Sequence, residues 1–228
     1  LPAAQRRTLP AGGATVPATL AFELTDLAAA CSRAQRPAAP RIGLVSVSGG
    51  VAALMADEAA ARGLEIPPMP AHGERRMREL VSFAATRNPI DAAAPAMQDM
   101  ALLARFVEIA LEDGGYPALA CFLSHLGHVD RHFDELRSHL VRLRHRFPDR
   151  VIALAILAPP ERRLLLEQDG FLVFDDPARA VACVAALSQI AAARLRIPAG
   201  ADDVPELAPY SGPPIATATS EIAARSIL

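Results

Sequence analysis

The residues best suited to chemistry are Ser48, Gly49 and Gly50. They join an apolar run, Ile42-Gly43-Leu44-Val45-Ser46-Val47, to an alanine-rich stretch that closes at Arg62-Gly63. A strand, a glycine turn and a helix leave unpaired N–H groups and a positive dipole end at the turn, a geometry that receives anions. Glycine lets the backbone approach such a group closely, and a serine hydroxyl adds a donor. Phosphate chemistry is therefore the first expectation, although a plain tight turn uses the same residues. The spacing is not Gly-x-Gly-x-x-Gly, so it carries no dinucleotide fingerprint.

Asn88-Pro89-Ile90-Asp91 is the second candidate. Asx side chains and proline make good turns and helix caps. The functional alternative puts Asn88 and Asp91 beside the phosphate turn, orienting it or a neighbouring histidine. His125, His128 and His132 lie near Asp130. On one helix they could share a face and hold a metal. The stretch begins as a strand and then turns, however, so surface or capping roles, or a lone catalytic His125, are the other readings. Arg137, Arg142, Arg144, Arg146 and Arg150 read as a solvated helix face, with an anion site as the sharper alternative. Arg162 and Arg163 fall at the carboxyl end of a strand and have a better claim on a phosphate. Cys121 and Cys183 sit in apolar runs and are expected to be buried free thiols, which fits a reducing cytoplasm.

The elements that must position these groups follow from periodicity. Residues 19–35 predict a helix. Strands are expected at 42–47, 64–69, 118–123, 151–157 and 171–174. Helices are expected at 50–62, 74–83, 96–113, 130–146, 159–168 and 177–195, with 87–91 as a loop. The strand at 151–157 does not alternate, as expected when both faces are covered. Short apolar strands alternating with helices give an α/β fold: a flavodoxin-like five-stranded parallel sheet, order 2-1-3-4-5, with helices on both faces. Residues 1–18 read as a linker, 19–196 as the domain, and 197–228 as a second, proline-rich linker with a helix-like end at 219–228.

Composition narrows the function. A net charge of −2 argues against a nucleic-acid or anionic-membrane surface. Aromatic residues are 4% and tryptophan is absent, which disfavours base stacking and lowers the odds of a flavin site. Every basic residue is arginine, so a lysine Schiff base and a Walker-type loop are excluded within this stretch. No apolar run reaches membrane-span length. The chain opens Leu-Pro-Ala-Ala-Gln-Arg-Arg, without a methionine or a signal-peptide core, and is expected to be a fragment of a longer polypeptide.

The run 42–63, the Asn88-Pro89-Ile90-Asp91 motif and the ending Phe174-Asp175-Asp176-Pro177-Ala178-Arg179-Ala180-Val181 together resemble the NDP-forming acyl-CoA synthetases, relatives of succinyl-CoA synthetase. The resemblance covers about 20–195 and matches the second flavodoxin-like domain. From about 215, the chain resembles the connector into an ATP-grasp domain. It implies a parent enzyme that makes acyl-CoA from acid, CoA and ATP with magnesium, through an acyl phosphate and a phosphohistidine. It implies that Ser48, Gly49 and Gly50 face that phosphate, with Asn88 and Asp91 close by. The partners implied are the CoA-binding, first flavodoxin-like and ATP-grasp domains, with no cofactor held tightly by this domain. An exposed partner face could also drive an isolated fragment to homodimerise. The phosphorylated histidine is expected outside this segment, in a Ser-His-Thr-Gly motif. Ser124-His125-Leu126-Gly127 looks superficially similar but follows the third strand, and the role is not transferred to it. The alternatives are a noncatalytic scaffold that kept the fold, or a small-ligand domain.

Overall fold

The computed structural model of the chain describes residues 21–33, 36–92 and 94–194. The expected linkers at 1–18 and 197–228 lie outside the described residues.

Five parallel strands form one sheet: β1 (Ile42–Ser46), β2 (Ile90–Asp91), β3 (Ala118–Ser124), β4 (Val151–Ile156) and β5 (Leu172–Phe174), in the order β2-β1-β3-β4-β5. The helices are α1 (Ala21–Arg33), α2 (Gly49–Ala61), α3 (Ala71–Leu80), α4 (Met100–Glu112), α5 (Asp130–Arg146), α6 (Pro160–Gln168) and α7 (Pro177–Arg194). The strands are apolar on both faces, and their period of two divides them between two helical layers. Val45, Leu119, Cys121, Ile152 and Leu154 join a core with α3, α4 and α5. Ile42, Leu44, Ala118, Ala120, Ala153 and Ala155 join the other core with α1, α2 and α7. The second layer is built from small residues on both sides, since α7 contributes Ala180, Val181, Cys183, Val184 and Ala185. Small side chains let that helix sit close to the sheet.

One strand is not where periodicity put it. The second strand is Ile90–Asp91, inside the expected loop, and not 64–69. Leu64-Glu65-Ile66 is apolar enough, but Pro67 and Pro68 follow and have no N–H to give a ladder. That stretch keeps only an isolated bridge between Arg41 and Glu65. Ile90 and Asp91 pair with Val45 and Ser46 instead. The N-terminal half of β1, paired with β3 on one side, then has no strand on its β2 side, and Asn88 stands in for one. Its Oδ1 accepts from Leu44 N at 3.0 Å, and its Nδ2 donates to Ile42 O at 3.1 Å and to Pro67 O at 2.8 Å. The amide replaces the peptide group that a longer edge strand would have supplied. Asn88 adopts φ 93, which its short polar side chain tolerates.

An arginine-based clamp crosses α3, α4 and α5. Arg76 pairs with Glu112 and Asp113, and Arg146 pairs with Glu108 and Glu112. Hydrogen bonding to Asp113 and Glu112 holds the Arg76 guanidinium above its ordinary pKa, and Arg76 holds Glu112 below the usual carboxylate range.

Cys121 and Cys183 are buried and Cys31 is exposed. Burial pushes both buried thiols up to about 12. A water-soluble disulfide reagent should therefore label Cys31 rapidly and the other two only after denaturation. Fast labelling of all three in the folded protein would contradict that burial. In the unfolded chain these thiols ionise near 9, so they erode stability as pH rises from that value toward about 12.

Candidate functional site

The strand order reverses between β1 and β3. The chain leaves β1 into α2 on one face and leaves β3 toward α5 on the other. Such a switch point opens a crevice at the carboxyl ends of the two strands, where ligands of open α/β sheets bind. The turn at Ser48–Gly50 forms one side of it and residues 124–128 form the other.

The first turn is built by Ser46, the last residue of β1. Its buried Oγ donates to Ser48 O at 2.8 Å and accepts from Ser48 N at 3.0 Å. That exchange fixes the exit direction of the chain. Sequence reasoning passed over Ser46, although a lone hydroxyl in an otherwise apolar strand, two residues before the turn, is the signal. Ser48 occupies the N-cap of α2 in an extended conformation, without a side-chain cap, and the first turn contains no acid. Gly49 and Gly50 are exposed. A Cβ on Gly50 would meet nothing within 4 Å.

Negative charge comes to this helix end from β2. A Cβ on Gly49 would lie 2.9 Å from Asp91 Oδ2, so the carboxylate rests against the glycine face of the turn. Glycine at 49 is what permits that approach. Asp91 is anchored through its backbone, which pairs with Ser46 and donates to Ala85 O at 2.8 Å. Of the candidate residues, Ser48, Gly49, Gly50 and Asp91 are thus brought together. Asn88 spends its amide on the backbone of β1 and on Pro67.

Across the crevice, Ser124 ends β3 with φ 51, and its Oγ lies 3.2 Å from His125 Nδ1. His125 and His128 are exposed on the turn, while His132 is buried on α5. Among the described residues no group of three or more histidines, cysteines or carboxylates could hold a metal ion. Arg162 closes the turn: it donates to Gly127 O at 2.8 Å, pairs with Asp130, and lies 4.9 Å from the centre of the Phe133 ring. Arg163 lies 3.7 Å from Asp175.

No protein-family model and no curated protein matches the sequence. Solved structures do match. The dinucleotide forming acetyl-coenzyme A synthetase 1 of Ca. Korarchaeum cryptofilum, in complex with phosphate and ADP, superposes with a TM-score of 0.66 at 19% identity. This chain has the fold of a segment of that synthetase. The match covers 78% of this chain and 39% of that one, and the apo form gives the same values. PH0766 from Pyrococcus horikoshii OT3 matches with a TM-score of 0.65 at 22% identity, over 78% of this chain and 41% of that one. The chain therefore spans well under half the length of the structures it resembles. No helix among the described residues is long and apolar enough to cross a membrane.

Proposed function

We propose that this chain is the second flavodoxin-like domain of a cytoplasmic, NDP-forming acyl-CoA synthetase, and that the N-terminus of α2 receives a phosphohistidine presented by a neighbouring domain. The observation that carries the reading is the glycine-opened end of α2 at the switch point of a sheet shared with an acetyl-coenzyme A synthetase. In the reaction proposed for the whole enzyme, a histidine takes the terminal phosphoryl group of magnesium-bound ATP and releases ADP. The substrate carboxylate then takes that group to become an acyl phosphate. The CoA thiol displaces phosphate and yields acyl-CoA. The N–H groups around Gly49 and Gly50 favour the negative phosphoryl group through charge-assisted hydrogen bonding. Asp91, at the end of β2, is an anion resting against the same turn, and it suits the other side of the imidazole. The unphosphorylated histidine can donate its other ring N–H to a carboxylate, which fixes ring and tautomer for attack on the phosphoryl group and stabilises the positive ring that forms. Asn88 serves indirectly by holding β1, from which the turn departs. ATP-grasp and CoA-binding parts belong to the partner domains.

Gly50→Asp tests this reading well, because the site has room for the side chain and the fold should be preserved. In the complete synthetase polypeptide the variant should form no acid-labile phosphohistidine from ATP, while Gly50→Ala should retain most of it. Wild-type phosphorylation of Gly50→Asp would overturn the reading. A second reading, a noncatalytic scaffold, is favoured by the carboxylate already resting on Gly49. It expects Asp91→Asn to weaken α2 by about 0.3–1 kcal/mol, as for loss of a negative charge at a helix N-terminus, with no phosphoenzyme to measure.

A further inference from the structure

The arginines of α5 and the loop that follows it have distinct fates. Asp169 takes both prongs of Arg137, at 2.6 and 2.9 Å. Arg144 donates to the carbonyls of Phe147, Pro148 and Arg150 and closes the end of the helix. Arg146 belongs to the clamp on α4. Arg150 donates to Tyr116 O and lies beside Asp149. Arg142 differs from all of these. It donates to Ser138 Oγ at 3.0 Å and to His139 Nδ1 at 2.7 Å, both on its own helix, and pairs with no carboxylate among the described residues. A guanidinium has no acceptor, so Nδ1 of His139 accepts and the imidazole proton sits on Nε2. Arg142 thus offers a positive charge whose position is fixed by Ser138 and His139.

Arg142 and His139 line a groove of about 400 Å³ between α4 and α5. It falls in the size range of small-molecule sites. Ala101, Ala104 and Leu143 supply its apolar part, and the small alanines of α4 leave the space open. Arg105 and Arg146 complete the polar part and share the single carboxylate of Glu108. Glu108 and Glu112 offset two of the three lining guanidiniums, which leaves the groove with the positive charge of Arg142.

We infer that the α4–α5 groove binds a compact phosphomonoester, its phosphate held by Arg142 and its organic part lying over Ala101, Ala104 and Leu143. Guanidinium and phosphate match as fork and oxyanion, which makes Arg142 the principal recognition residue. The site lies on a helical flank, away from the turn at Ser48–Gly50, and does not depend on the function proposed for that turn.

The test titrates the isotope-labelled full chain with adenosine 5′-monophosphate, inorganic phosphate and adenosine, following NMR signals of Ala101, Ala104 and His139. The monophosphate should shift them saturably, and adenosine should not. Binding of inorganic phosphate as well would define the phosphate as the recognised group, and a preference for the monophosphate would add the apolar contact. Binding of the monophosphate, with or without binding of inorganic phosphate, supports the inference, and binding of inorganic phosphate without the monophosphate would overturn it. Arg142→Gln should weaken binding about tenfold or more, the cost of one charged hydrogen bond. Arg78→Gln on α3 should leave it unchanged. Absence of saturable shifts, equal shifts with adenosine, or unchanged affinity in Arg142→Gln would each overturn the inference.

Discussion

Asn88→Leu should destabilise the protein by about 3–5 kcal/mol, a large share of the stability of any single domain. The variant strands Leu44 N and Ile42 O, which are buried partners of the present amide. Each buried group left unsatisfied costs about 1–3 kcal/mol. The backbone at φ 93 adds strain for a bulky residue. Urea unfolding followed by circular dichroism measures the total. Asn88→Gly keeps the conformational tolerance and loses only the side-chain bonds, so the difference between the two variants separates the contributions. A loss within about 0.5 kcal/mol of zero for the leucine variant would show that the amide is no surrogate strand.

Gly127→Val should be the most damaging change on the rim of the sheet. A Cβ there would lie 2.3 Å from Ala158 Cβ and 2.5 Å from Leu157 O. Those atoms belong to the segment leaving β4, so relief requires backbone movement. It would also pull Gly127 O away from Arg162. Overpacking of this kind costs about 1–3 kcal/mol or more, which for a domain of this size lowers Tm by roughly 2–12 °C. Calorimetry on the variant checks the figure, and an unchanged Tm would mean the two loops can part freely.

The architecture was largely legible in the sequence because it rests on local signals. Continuous apolar runs at β1, β3, β4 and β5, separated by helical periodicity, define a parallel sheet with helices on both faces. The edge strand was not legible. Leu64-Glu65-Ile66 has the composition of a strand, and only the lack of N–H groups at Pro67 and Pro68 turns it away from the ladder. Ile90–Asp91 is too short to show a period, and the contacts that secure its neighbourhood come from Asn88, 44 and 46 residues from its partners on β1. The turn at Ser48–Gly50 could be read as a helix start from its glycines. The carboxylate of Asp91 against Gly49 is a tertiary contact, and sequence could indicate only that the two segments stand near each other. The same limit applies to the arginines after residue 136. Spacing marks them as one charged face, while their partners Asp169, Glu108, Glu112 and Tyr116 are scattered through the chain.

The clamp across α3, α4 and α5 has one further consequence. All of its cations are guanidiniums, and the sequence contains no lysine. Acetylating enzymes and amine-directed cross-linkers find no side-chain target in it, and alkali that would discharge an ammonium leaves it intact. The joint between these helices is therefore closed to every charge change that works through an amine.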